Sequence, residues 1–190
     1  IERYFMEHEK IVFDGNGYSE EWVAEAARRG LPNLKTMVDA IPALTTEKSV
    51  ALFEKFGVFT RAELESRAEI QYETYAKVIN IEAKSMIDIA SKQLIPAVIK
   101  YTKELAETVI AVKACGVDAS VQEEILRKVT VLLGESRNAL TKLKELDVKG
   151  TKLPRGEKQA KFFNKEVVPA MEALRKPIDK LEMIVEKDMW

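Results

Sequence analysis

From Thr60 to about Cys115 the apolar residues return at spacings of three and four, and this run constrains the fold more than anything else in the chain. Tyr72, Tyr75, Ile79, Ala83, Met86, Ala90, Leu94, Ala97, Tyr101, Leu105, Val109 and Val112 fall on one face of a single helix. Their mean spacing is about 3.6, the period of a straight helix and not of a heptad supercoil. Thr60 is placed to cap the start, and Glu63 completes a capping box. Gly116 follows the last apolar position, where glycine ends helices. At about 1.5 Å per residue the element is a rod of roughly 80 Å. The rest of the chain has to be arranged against it.

Two further helices follow. The turn Gly116-Val117-Asp118 leads to Ser120, which with Glu123 reads as a second capping box. Val121, Ile125, Val129, Leu132, Leu133, Leu140, Leu143 and Leu146 form the face of a helix ending near Asp147. A loop over 148–156 holds Gly150, Pro154 and Gly156. A last helix from about Glu157 to Asp188 carries Phe162, Phe163, Val167, Met171, Leu174, Ile178, Leu181 and Val185 inward. On lengths alone, the last helix begins beside about residue 86 of the rod, and Pro169 stands level with Pro96. Proline removes a helical hydrogen bond and bends the helix, so matched bends are expected there. This register leaves 61–85 uncovered by the hairpin, so Leu64, Ala68, Tyr72, Tyr75 and Ile79 must bury against 1–59, another domain or another subunit.

Ahead of the rod the pattern is broken. Residues 1–13 read as the tail of a helix, and Asp14-Gly15-Asn16-Gly17 as a dense turn. Ser19 is the expected cap of a short helix that ends at Gly30. A helical piece over 34–40 is expected to stop at Pro42. Thr45 or Thr46 caps another helix, which Gly57 ends. The fold class is therefore all-α: a bundle of one long kinked helix plus an antiparallel two-helix hairpin, preceded by short helices and turns. The expected division is 1–59 and 60–190.

Charge and composition exclude several functions. Thirty basic residues against 31 acidic leave a net charge of -1, which argues against nucleic acid as the main partner, because its phosphate backbone calls for a basic excess. No apolar run is long enough to span a membrane, and the charged, aromatic start is unlike a signal peptide. A first residue of Ile implies a piece of a longer protein. One cysteine, Cys115, forms no internal disulfide and fits a reducing, cytoplasmic setting.

Candidate sites are few. Asp14, Asn16 and Glu25 occupy the first, third and twelfth positions of a calcium loop. Tyr18 takes the fifth, however, and Ser19 stands where the sharp turn needs glycine, so a capped turn is the better reading. A di-metal carboxylate bundle needs Glu-x-x-His pairs, and the only histidine, His8, lies outside the bundle. Cys115 follows the end of a helix with no histidine near it in sequence, so a structural or idle role is expected. Lys149, Lys152, Arg155, Lys158 and Lys161 make a basic loop, read as a solvated surface ahead of an anion site. The residues single out no catalytic, cofactor-binding or metal position.

One set of strings resembles a known family. Phe13-Asp14-Gly15-Asn16-Gly17-Tyr18-Ser19-Glu20-Glu21-Trp22 and Arg29-Gly30-Leu31-Pro32-Asn33-Leu34 are similar to the C-terminal portion of type III glutamine synthetase. So are Asp39-Ala40-Ile41-Pro42-Ala43-Leu44, Glu47-Lys48-Ser49, Ile79-Asn80-Ile81-Glu82-Ala83 and Leu94-Ile95-Pro96-Ala97-Val98-Ile99-Lys100-Tyr101. The similarity covers essentially the whole chain and is densest over 10–105. The resemblance implies a longer protein that makes glutamine from glutamate, ammonia and ATP through a γ-glutamyl phosphate, using Mg or Mn. It implies a homo-oligomeric ring, with metal and substrate ligands in a domain upstream of Ile1. None of those motifs matches a stretch here, so this segment is expected to be inactive alone. Residues 1–59 would continue from the catalytic domain, with an assembly or regulatory role for the bundle. Neighbouring subunits and the upstream domain are the implied partners, with no nucleic acid and no membrane. The competing reading is a helical interaction or scaffold module with no enzyme attached.

Overall fold

The computed structural model describes residues 2–190. Its first third is short pieces. Helix α1 (Glu2–Glu7) runs into a 3-10 turn at Glu9–Ile11. Helix α2 (Glu20–Arg28) starts where the Trp22 amide donates to the Ser19 hydroxyl, and Gly30 beyond its end takes φ 69°. Helix α3 (Met37–Ala40) passes directly into a 3-10 turn, Ile41–Thr45. The α-helix ends at Ala40, ahead of Pro42 as expected, although it starts only at Met37 and the path continues in 3-10 form. Pro42 sits in the first turn of the tighter helix, where its missing N–H costs nothing. Helix α4 (Glu47–Lys55) is capped by Thr46.

The rod is continuous from 61 to 114, in three segments. Helix α5 (Arg61–Ile89) opens with the full Thr60–Glu63 capping box. A π-helical turn, Ala90–Leu94, then precedes helix α6 (Ile95–Ala114). Pro96 explains the turn. In a regular helix its ring would strike the Lys92 carbonyl, and that carbonyl would lose its donor. The Ile95 amide instead reaches back five residues to Ala90, widening the helix one residue ahead of the proline. Helix α7 (Ser120–Thr151) descends along the rod. The return strand of the hairpin repeats the device: α8 (Glu157–Phe162), a π-turn at Phe163–Val167 in which Val168 N–H donates to Phe163, then α9 (Val168–Glu182) with Pro169 in its first turn. Both prolines are thus absorbed in the same way, but they are not level.

The register differs from the one expected from lengths. The Tyr75 hydroxyl donates to Asn164 at 2.9 Å, and Asn80 donates to Asp147 at 2.6 Å. Higher up, Val98 shares a cluster with Val129, Leu181 and Val185. Pro96 therefore lies near the level of Leu181, and the π-turn before Pro169 lies beside Tyr75. The reason is local. Helix α7 runs on to Thr151, past Asp147, and the chain drops further before it turns. At Gly156 (φ 94°) the backbone comes so close to the rod that a Cβ would overlap the Glu69 carboxylate. The hairpin therefore covers the rod from about Glu69 upward and not from about residue 86, while Val38 and Ile41 supply part of the cover that 1–59 was expected to give.

Small residues make this packing close. Ala68, Ala76, Ala83 and Ala90 are all buried along the rod's inner face, with Leu143, Phe163, Val167 and Leu174 opposite. Gly150 lets α7 approach α8, since a Cβ there would stand 3.0 Å from the Phe163 ring. Below the hairpin, Val38, Ile41 and Val50 of the 36–55 segment are buried near the foot of the rod, as is Leu64. Arg61 fixes that segment through Glu47 at 2.7 Å. Two ends differ from expectation. Helix α7 has no Ser120 cap: Asp118 captures the Ser120 hydroxyl, while Glu123 is taken by Lys113 and Arg127. Helix α9 stops at Glu182, and the last residues turn so that Trp190 packs against both core clusters.

Candidate functional site

The polar groups fall into three places. The first is the Phe13–Arg29 loop and helix. Phe13 and Trp22 stack with ring centroids 4.4 Å apart, and the Arg29 guanidinium lies 5.6 Å from the Trp22 ring. Arg29 also donates to the carbonyls of Val12 (2.6 Å) and Lys10 (3.3 Å) and to the Glu25 carboxylate (2.5 Å). Arg28 forks onto the same carboxylate, and hydrogen bonds from Arg28 and then Arg29 hold the Glu25 pKa down at about 2. The calcium-like positions are thus used otherwise. Glu25 is saturated by two arginines, Asn16 accepts from the Tyr18 amide at 3.0 Å, and Ser19 caps α2.

The second is a pair of polar ties inside the bundle. Asp147 is buried, and burial raises its pKa against the lowering pull of Lys84 and of the Asn80 hydrogen bond. Asn164 accepts from Tyr75 and donates to Thr36 at 3.4 Å, so one side chain joins the rod, the return helix and the start of α3. Nothing in the sequence pattern announces these residues. Polar side chains on a helix are ordinarily solvated, and only the register brings them together.

The third is the basic loop. The structure disperses it. The Lys149 ammonium lies 5.4 Å from the Phe162 ring, and Lys161 pairs with Glu157 at 2.5 Å, which raises its pKa. Arg155 lines a cleft of about 200 Å³ with Glu73, Lys77, Asn80 and Gln159. His8 is exposed beside the first 3-10 turn, and Cys115 is exposed at the end of α6. Among the described residues no three His, Cys, Asp or Glu side chains cluster to hold a metal, and no helix is long and apolar enough to cross a membrane.

A long rod, an antiparallel hairpin packed along it and a foot of short helices define a helical-bundle domain. The chain belongs to the glutamine synthetase C-terminal domain family, whose model matches residues 1–113, from the first short helix to the top of the rod. It is 33% identical over 187 residues to a glutamine synthetase of Butyrivibrio fibrisolvens, covering 97% of this chain and 27% of that protein. The type-3 glutamine synthetase of Dictyostelium discoideum is 33% identical over 201 residues, covering all of this chain and 27% of the relative. A glutamine synthetase of Bacteroides fragilis is 28% identical, covering 96% of this chain and 26% of the relative. The chain thus spans about a quarter of the length of these proteins.

Proposed function

We propose that this domain serves a glutamine synthetase, a longer protein that ligates ammonia to glutamate at the expense of ATP, and that it carries none of the chemistry itself. The observation that carries this reading is the match over nearly the whole chain to relatives named as glutamine synthetases. The use of its polar groups supports the second half. Metal-templated phosphoryl transfer needs carboxylates and basic groups converging on one site. Here Glu25, Asp147 and Glu123 are held by Arg28 and Arg29, by Asn80, and by Lys113 and Arg127. ATP and Mg or Mn would be bound by the upstream domain of the cytoplasmic enzyme. The role left to this domain is assembly or regulation, through that domain and neighbouring subunits of a ring.

The test is ADP release by the longer protein with glutamate and ammonium each present or omitted. A requirement for both is the expected result. No such requirement from a folded, metal-loaded protein would favour a helical scaffold module instead.

A further inference from the structure

Residues 2–35 have no buried side chain, and the first buried residue among the described residues is Val38. Yet the stretch is rich in large apolar groups. Tyr4, Phe5 and Met6 are each more than half exposed, as is Ile11, and Tyr18 is fully exposed. Among the described residues no side-chain hydrogen bond or salt bridge ties residues 2–35 to the rest of the chain. The internal order of the stretch comes from the Phe13–Trp22 stack and from Arg29, which binds α2 to the Lys10 and Val12 carbonyls. An exposed apolar patch of this kind, held in a defined shape, marks an interaction surface.

The shape restricts the partner. Successive helical residues turn by about 100°, so Tyr4, Phe5 and Met6 sweep an arc of roughly 200°. A flat surface cannot cover all three, whereas a cleft can. Charge restricts it further. Over residues 2–35 seven acidic side chains face five basic ones, Arg3, Lys10, Arg28, Arg29 and Lys35. Arg3 is paired with Glu7 and Glu25 with its two arginines, while Glu2, Glu9, Asp14, Glu20 and Glu21 have no salt bridge among the described residues. A basic rim would complement them.

We propose that residues 2–35 are a docking arm that seats on the preceding domain of the same polypeptide, with α1 in an apolar cleft rimmed by basic groups. The existence of that domain rests on the glutamine synthetase reading. In the relatives the matched part is about 27% of the protein, and the arm is the portion of a C-terminal domain nearest the remainder. Covalent linkage makes such docking intramolecular, so a modest surface suffices at the high effective concentration.

The test is hydrogen exchange on the full-length protein and on its Tyr4→Asp, Phe5→Asp double variant. In the unaltered protein the α1 amides should exchange at least about tenfold more slowly than in the variant, with the bundle equal in both. Alpha-1 amides exchanging at the free-peptide rate in the unaltered protein would overturn the proposal, whether or not the variant folds. Equal protection in both proteins would overturn it too. Lysine cross-linking in assemblies made from mixed light and heavy-isotope chains tests the occupant. Links from Lys10 to the preceding domain within one isotope support the proposal, and mixed-isotope links, which would mean a second copy, overturn it. These results are independent of ADP release. Absent turnover would remove the synthetase reading and leave a protected α1 standing.

Discussion

The arm over residues 2–35 and the bundle above Arg61 hold similar kinds of apolar side chain and treat them in opposite ways. In the bundle Phe163 is 1% exposed and Leu143 fully buried, while in the arm Phe5 is 53% exposed and Tyr4 68%. The difference lies in reach. The rod, α7 and the α8–α9 path run side by side, so their inner apolar faces meet one another, while Ile70, Ile81, Ile110, Val121 and Val131 on outer faces stay more than half exposed. Helix α1 has six residues and α2 nine, and neither carries a buried residue. The lesson is that an apolar pattern determines an element and a face, while the cover for that face depends on what else the chain can bring alongside. A self-contained bundle and an uncovered arm in one domain suggest a division between structural body and contact.

Substitutions can break or sharpen that contrast. The largest effect belongs to Phe163→Ala, which empties a fully enclosed site between α7 and the rod and should cost about 3–5 kcal/mol. Urea denaturation reads it, and a loss below about 1 kcal/mol would mean that the bundle is not packed as described. Gly156→Ala should follow at about 1–3 kcal/mol, since φ 94°, ψ -149° is a region that side chains avoid. The same denaturation curves report it, and a neutral result would contradict the positive-φ conformation at Gly156. Thr60→Ala removes the rod's cap and should lower stability by about 1 kcal/mol.

Asp147→Asn is a pH prediction. Burial raises the folded-state pKa of Asp147 above its ordinary 3.8. The folded protein thus holds that proton more tightly than the unfolded chain, and this residue's contribution weakens as pH rises through the window above 3.8. Stability of the native protein relative to Asp147→Asn should therefore decline as pH rises from about 4, measured by denaturation at several pH values. A constant difference would contradict the assignment. The half-buried Glu25 and the exposed Glu63 and Asp118, whose pKa values are lowered, act in the opposite sense in both proteins and drop out of the comparison. The smallest effect is expected in the arm: Phe5→Ala in the 190-residue chain should alter bundle stability by less than about 0.5 kcal/mol. A loss comparable to Phe163→Ala would show that the arm belongs to the core after all.

How far the fold was legible in the sequence follows from the range of each interaction. The Thr60–Glu63 box, the Ser19 and Thr46 caps, and the glycines at 30, 57 and 116 with positive φ are all set by neighbours a few residues apart. The second box failed at the same range because Asp118 competes for the Ser120 hydroxyl. The register failed because it depends on where Gly156 lets the backbone cross Glu69, which no periodicity records. The paired prolines marked the two irregular turns, but spacing does not say that a π-turn precedes each of them. Asn80–Asp147 and Tyr75–Asn164–Thr36 were invisible for the same reason as the register that joins them. Family membership was legible in long ordered strings, although those strings carry no catalytic motif.

The most direct test of the account assays the 190-residue chain and the longer protein side by side for ADP release dependent on both glutamate and ammonium. The account predicts that dependence in the longer protein and no turnover by the chain alone. Turnover by the isolated chain, or ADP release by the longer protein that ignores either substrate, would contradict it.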